Sequence, residues 1–147
     1  MDDLAPDELT DYFEPSRDNV VLVLRDMEIP PWALGTDKTL EELLYATLAP
    51  HFESVTPQCF VDGHLGTKIG VDIARRVGVE IKLAANLARA PDVQRFLDQV
   101  LQCRQRYAAG LIVAIAGLGA DDDTTLLLDM RDQLLSLGVT VMFFRAQ

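Results

Sequence analysis

Two adjacent runs of alternating apolar residues constrain the fold of this chain more than any other stretch. They lie within the segment IGVDIARRVGVEIKL, which spans residues 69–83. Successive strand residues point to opposite faces, so Val71 and Ile73 share one face, as do Val79 and Ile81 across the bend. A period of two in neighbouring runs predicts an antiparallel hairpin with one buried face.

The opposite face of this predicted hairpin carries Asp72, Glu80 and Lys82. A three-residue loop at 75–77 pairs the strands about residue 76 and places Asp72 opposite Glu80, with Cβ atoms roughly 5 Å apart. Like charges directly opposite each other destabilise a sheet, so this register needs an offsetting interaction. A divalent cation would supply one, because Mg²⁺ prefers carboxylate oxygens, waters and phosphate. The alternative is an exposed hairpin on which Lys82 screens the two carboxylates.

Helical and strand patterns alternate along the rest of the chain. Thr39 and Glu42 are predicted to form a capping box at the start of the first helix. A continuous apolar run such as 110–117 is typical of a strand buried on both faces. The order predicts an α/β fold with a central mixed sheet flanked by helices. The predicted elements are a helix at 37–49, a strand near 57–62, the hairpin, a helix from Pro91 to about Tyr107, a strand at 110–117, a helix at 123–137 and a strand at 139–144.

Residues 1–35 are predicted to form an acidic, proline-punctuated lead-in to a single domain at 36–147. The run VVLVL in the lead-in fits either a strand or one face of a helix. No apolar run approaches the ~18 residues that cross a bilayer, and the acidic start lacks a secretory pattern. Cys59 and Cys103 fit buried free thiols rather than a zinc site. We therefore expect a cytoplasmic protein with no membrane segment.

Charge is unevenly distributed along the sequence. The whole chain carries a net charge of −10, which disfavours a nucleic-acid binder. Residues 64–107, however, contain eight basic and four acidic residues, a net charge of +4. This asymmetry predicts a basic face for nucleic acid, with Lys68, Arg75, Arg76 and Arg89 as candidate contacts. The acidic N-terminal segment is a candidate surface for a protein partner, and scattered basic residues without a common face are the alternative.

The spacing of the charged residues resembles the D…ExK signature of the PD-(D/E)XK nuclease superfamily: Asp72, seven residues, then Glu80 and Lys82 within Glu-Ile-Lys. The predicted elements over about residues 37–117 are similar in order to that superfamily's restriction-endonuclease-like sandwich. The resemblance implies that Asp72 and Glu80 bind Mg²⁺ or Mn²⁺ and that Lys82 assists the water that cleaves a phosphodiester of DNA or RNA, with DNA the first expectation.

The sequence departs from the family pattern in two places. Val71 stands where a proline often precedes the aspartate, and the following helix has no Gln-x-x-x-Tyr. These departures leave a second interpretation open, a catalytically inactive interaction or regulatory domain of the same fold.

Four other residues are candidates for the predicted metal site. Some superfamily members add a glutamate from the first helix, so Glu41 or Glu42 could serve; the simpler assignments are a solvated Glu41 and a capping-box Glu42. Asp62 could replace Asp72 as the first acid, although Asp-Gly is a common turn pair. His64 is more typical of a loop histidine than of a ligand.

Overall fold

The computed structural model of the chain describes residues 11–60 and 68–146, and in that part a five-stranded mixed sheet packs between helices. The α/β architecture predicted from sequence is thereby confirmed. The helices are α1 (Arg17–Arg25), α2 (Asp37–Leu48), α3 (Ala90–Arg106) and α4 (Thr125–Ser136), with 3₁₀ turns at Pro31–Leu34 and Ala84–Leu87. The strands are β1 (Val55–Phe60), β2 (Lys68–Ile73), β3 (Val77–Leu83), β4 (Leu111–Leu118) and β5 (Thr140–Arg145).

The sheet is antiparallel on one side of its middle strand and parallel on the other. The strands lie in the order β1-β2-β3-β4-β5, with β1, β2 and β3 antiparallel and β4 and β5 parallel to β3. One face of the sheet packs on α1 and α2, and the other packs on α3 and α4. Neighbouring residues of β3 therefore point into two different cores. Within the described ranges, no helix has both the length and the apolar character that a bilayer crossing requires.

The ambiguous run in the lead-in forms helix α1. Ser16 caps it by accepting a hydrogen bond from the backbone N–H of Asn19 at 3.2 Å, as serine commonly does at a helix start. Val20 and Leu24, one turn apart, are fully buried against the sheet and α2. The sequence of VVLVL alone is compatible with a strand or a helix, and burial against the sheet and α2 accounts for its helical structure. The segment at 17–34 thus contributes to the same core as the helix that follows it.

Helix α2 begins with a capping box one turn earlier than predicted. The Thr36 side chain accepts a hydrogen bond from the N–H of Thr39 at 3.1 Å, and the Thr39 side chain accepts one from the N–H of Thr36 at 3.1 Å. The predicted pair of Thr39 and Glu42 is wrong, because the helix starts at Asp37 and Thr39 is already its third residue. Glu42 is left exposed on the helix surface.

Candidate functional site

The β2–β3 hairpin has a different register from the predicted one. Asp72 pairs with Gly78, so the predicted opposition of Asp72 and Glu80 is wrong. Glu80 instead lies against Gly70, where an added Cβ would come within 3.2 Å of Glu80 Oε1. Because Gly78 and Glu80 are two residues apart on β3, Asp72 and Glu80 lie one diagonal step apart on the same face.

The loop of the hairpin begins one residue earlier than expected because of its backbone conformation. Ala74 and Arg75 adopt left-handed φ angles of 54° and 59°. The turn closes with a hydrogen bond from the N–H of Arg76 to the carbonyl of Ile73 at 3.0 Å. The predicted loop would have placed Val77 in the turn, whereas Val77 is buried in β3. Burial of this β-branched residue favours the observed register.

Asp72 is a buried carboxylate that closes the hairpin. It is 4% exposed, and its Oδ1 accepts a hydrogen bond from the N–H of Arg75 at 2.9 Å. Its Oδ2 accepts a short hydrogen bond from the hydroxyl of Tyr107, which follows α3. Burial, and then the interaction with Asp72, raises the pKa of Tyr107 above its ordinary value. Both oxygens of Asp72 therefore already have donors.

The Tyr107–Asp72 hydrogen bond predicts a measurable loss of stability on mutation. Tyr107→Phe should lower the free energy of unfolding by about 1–3 kcal/mol, because it leaves a buried carboxylate oxygen without its donor. Urea unfolding of Tyr107→Phe, Asp72→Ala and the double variant measures the coupling. Two single effects that add to within ~0.5 kcal/mol would show that the residues do not interact.

Glu41 and Glu80 both lie beside Gly70 and line the same cavity. A Cβ placed on Gly70 would lie 3.2 Å from Glu80 Oε1 and 3.6 Å from Glu41 Cγ, so the missing side chain leaves room for both acids. Glu80 is 5% exposed, and its Oε2 accepts a hydrogen bond from Gln99 Nε2 of α3 at 3.0 Å. Glu41 Oε1 accepts one from Gln58 Nε2 of β1 at 2.9 Å. The carboxylate of Glu80 is thus fixed by a residue of α3, and that of Glu41 by a residue of β1.

The environment of Glu80 favours its protonated form. The pKa of Glu80 is raised from its usual 4.5 to about 8, mainly by burial and then by the negative charge of Glu41. The ammonium of Lys82 and the N–H of Ile81 act in the opposite direction. A bound cation would also lower this pKa, because an adjacent positive charge favours the carboxylate.

Lys82 follows Glu80 by two residues on β3 and lies beside it in the same groove. Its Nζ forms an ion pair with Asp37 Oδ2 at 3.3 Å and lies 5.7 Å from the centre of the Phe96 ring. The other oxygen of Asp37 accepts a hydrogen bond from the N–H of Leu83 at 2.9 Å. The ammonium is thus held at a fixed place on the wall of the groove.

The three predicted catalytic residues share one face of the sheet. Glu80 contacts Gln99 of α3, and Lys82 contacts Phe96 of the same helix. Asp72 contacts Tyr107, which directly follows α3. The prediction of a common face is confirmed.

The spacing between two acidic residues on α2 is close to the spacing between two charged residues on β3. Asp37 and Glu41 are four residues apart on α2, a rise of about 6 Å. Lys82 and Glu80 are two residues apart on β3, about 6.6 Å. The side of α2 that faces the groove can therefore pair Asp37 with Lys82 and bring Glu41 towards Glu80 at once. This match explains why two acids from a helix meet two charged residues from a strand.

Two adjoining cavities, lined by residues of α2, β3 and α3, form one groove. Arg95 and Gln99 line both of them. The larger, about 480 Å³, is lined by Glu41, Lys68, Glu80, Arg95, Asp98, Gln99 and Gln102. The smaller, about 360 Å³, is lined by Asp37, Lys82, Ala85, Asn86, Asp92, Arg95, Phe96 and Gln99. Glu80 and Lys82 thus open into neighbouring parts of the same groove.

Comparisons with known proteins give no relative. Protein-family models, curated proteins and solved structures all returned no match for this chain. Among the residues that the structure describes, no group of three or more His, Cys, Asp or Glu side chains is arranged to hold a metal ion. The geometry of the groove is therefore the basis for assigning a function.

The four predicted nucleic-acid contacts occur at three separate places in the fold. Lys68 lines the larger cavity, whereas Arg75 and Arg76 are exposed at the hairpin turn. Arg89 precedes the first turn of α3, and the 17 residues of that helix span about 25 Å. Arg95, which sequence analysis did not single out, lies closer to the site than the other three arginines because it lines both cavities.

Several assignments change once the groove is known. Glu41 is half-buried and accepts a hydrogen bond from Gln58, which keeps it a candidate for the site. Asp37 and Gln99 were missed, because only the packing of both helices on β3 shows that they reach Lys82 and Glu80. Asp62 and His64 fall outside the described residues. Cys103 is buried, as predicted, whereas Cys59 is only partly buried, and neither forms a disulfide within the described residues.

Proposed function

We propose that this chain is a divalent-metal-dependent phosphodiesterase acting on nucleic acid, centred on Glu41, Glu80 and Lys82. The observation that supports it is that Glu41 and Glu80 line one cavity beside Gly70, close enough for the charge of Glu41 to act on Glu80, with a lysine in the same groove. Mg²⁺ commonly binds proteins through one or two carboxylates and completes its shell with waters and substrate phosphate. Two carboxylates at an open groove fit that mode of binding, for Mg²⁺ or Mn²⁺.

The two glutamates are the proposed metal ligands. A divalent cation bound there would polarise the phosphodiester and acidify a bound water. Gln99 donates a hydrogen bond to Glu80, and Gln58 donates one to Glu41. Hydrogen bonds of this kind orient metal-ligating carboxylates, so both glutamines are positioning residues in this proposal.

Lys82 is proposed to stabilise the negative charge that develops on the phosphate oxygens. An ammonium aimed at such an oxygen acts most strongly in a partly desolvated site. The ion pair with Asp37 keeps Lys82 in the groove, and both side chains remain 29% exposed. Substrate phosphate can therefore reach the ammonium without unfolding the site.

We also propose that the fold is restriction-endonuclease-like. The order helix, three antiparallel strands, helix and parallel strand, with Glu80 and Lys82 on the third strand, supports it. One difference from the superfamily pattern concerns Asp72, whose predicted role was to bind the metal with Glu80. Because Asp72 is hydrogen-bonded to Tyr107 and Arg75, we assign the role of the second metal-binding carboxylate to Glu41.

The alternative function is a non-catalytic interaction or regulatory domain of the same fold. The position of Asp72 favours it, because the proposed centre is left with two carboxylates, one of which has a raised pKa. The two functions differ in whether the native chain binds a divalent cation.

Thermal melts with and without Mn²⁺ test the proposed function. The wild-type chain should gain stability with added Mn²⁺, by about 2.7 kcal/mol at a hundredfold excess over Kd. Glu41→Gln should lose this gain because it removes a ligand. Glu42→Gln, which changes the exposed neighbour of Glu41, should keep it. A wild-type melting temperature that does not change when Mn²⁺ is added, even with a nucleic-acid strand present, would overturn the proposal.

A further inference from the structure

We infer that a third cavity, on the far side of Glu41, is a subsite for one unpaired nucleobase of the substrate. This inference rests on the proposed function. The cavity measures about 350 Å³ and lies between α2 and β1. Its lining residues are Lys38, Glu41, Glu42, Tyr45, Pro57 and Gln58.

The cavity adjoins the proposed catalytic groove at one residue that lines both. Glu41 lines this cavity and also the larger cavity that contains Glu80. Tyr45 lies one helical turn beyond Glu41, about 6 Å along α2. That spacing is comparable to the distance across a nucleotide from its phosphorus to its base. A phosphodiester at Glu41 and Glu80 would therefore place an adjacent base near Tyr45.

The chemistry of the lining suits a flat, partly apolar ring. Tyr45 is 38% exposed and lines the cavity, so part of its side chain is accessible to a ligand. Pro57 of β1 adds a flat apolar surface to the same cavity. Stacking of a base on an aromatic side chain is worth about 1–3 kcal/mol and tolerates any sequence. Lys38 supplies a positive charge in the same lining, which fits an anionic backbone.

The backbone at Gln58 is an independent sign of a constrained site. Gln58 has a φ of 49° within β1, a left-handed conformation that costs most residues about 1–2 kcal/mol. Such strain persists where the surrounding structure fixes it, and it clusters at ligand sites. Here the strained residue directs its amide to Glu41 at 2.9 Å and lines the third cavity.

The subsite restricts the class of substrate. A base that is stacked and paired in a duplex cannot enter a side cavity without leaving the stack, at a cost of a few kcal/mol. A single strand or an unpaired segment avoids that cost. The net charge of −10 agrees with this choice, because it disfavours binding through the dense phosphate charge of a duplex. The proposed substrate is thus a phosphodiester next to an unpaired base.

Strand-binding measurements on Tyr45 variants test the subsite. The probes are a labelled single strand of thymidines and an abasic strand of the same length, each measured by fluorescence anisotropy with Mn²⁺. Tyr45→Ala should weaken binding of the thymidine strand about 5- to 150-fold, which corresponds to the loss of one stacked base. Binding of the abasic strand and the Mn²⁺-induced rise in melting temperature should not change.

Two control variants complete this experiment. Tyr45→Phe keeps the ring and should bind both strands like the wild type. Tyr12→Ala removes a comparably exposed tyrosine that lines a different cavity, and it should also bind like the wild type. Equal weakening of both strands by Tyr45→Ala, no weakening, or a wild-type chain that binds neither strand would overturn the subsite. A wild-type chain that prefers the thymidine strand but ignores Mn²⁺ would retain the subsite and overturn the metal proposal.

Discussion

Glu80→Gln is expected to lower phosphodiester cleavage by roughly 10³-fold or more, because a bound metal ion supplies several kcal/mol of transition-state stabilisation. Glutamine nearly matches glutamate in shape and can still accept the hydrogen bond from Gln99, so the fold should survive. The measurement is single-turnover cleavage of a labelled single strand with Mn²⁺, for wild type and variant under the same conditions.

Two further variants separate the metal from the lysine. Lys82→Met should lower cleavage by about 10²–10³-fold, the range for losing one charge-stabilising group, and should keep the Mn²⁺-induced rise in melting temperature. Glu28→Gln changes an exposed glutamate in the segment between α1 and the first 3₁₀ turn and should cleave like the wild type. A Glu80→Gln variant with full cleavage would exclude Glu80 as a ligand. Wild-type stabilisation by Mn²⁺ without cleavage would retain the metal site and exclude cleavage of this substrate.

The hairpin shows how far the sequence determines the site. Alternation of apolar residues was enough to predict which side chains share a face, since that depends only on the two-residue repeat of a strand. Alternation does not determine the loop. When the loop begins one residue earlier, each residue of β2 pairs with a residue of β3 that lies two positions earlier in the sequence. Asp72 therefore pairs with Gly78 instead of Glu80, and every side chain stays on the same face of the sheet. The shift depends on left-handed φ angles at Ala74 and Arg75, which nothing in those residue types indicates.

The contribution of α2 depended on tertiary packing. Its leucine spacing predicted the helix, but the position of Glu41 over Gly70 follows from how that helix lies across β3. Gly70 is the sequence signal for this contact, since a glycine inside a strand often marks the close approach of another group. The predicted basic face was not found as a single surface, because Arg76 and Arg89 lie near opposite ends of α3.

Stability of the metal-free chain is expected to fall by a few kcal/mol between about pH 5 and pH 8. Glu80 has a pKa of about 8 in the folded chain and 4.5 when unperturbed. In that interval the folded state holds a proton that the unfolded state releases, so raising the pH favours unfolding. The contribution of Glu80 is complete below pH 4.5 and is lost as the pH rises through 8. Urea unfolding in EDTA at several pH values measures the slope.

The matched variants assign that slope to one group. Glu80→Gln cannot titrate, so its stability should change much less over the same interval, whereas Glu28→Gln should follow the wild type. Mn²⁺ at pH 8 should restore the wild-type stability, because a cation favours the ionised carboxylate and binds the folded state. Since burial is the main cause of the raised pKa, Glu41→Gln should reduce the slope without removing it. Identical slopes in wild type and Glu80→Gln would show that other groups cause the pH dependence and that Glu80 is ionised in the folded chain.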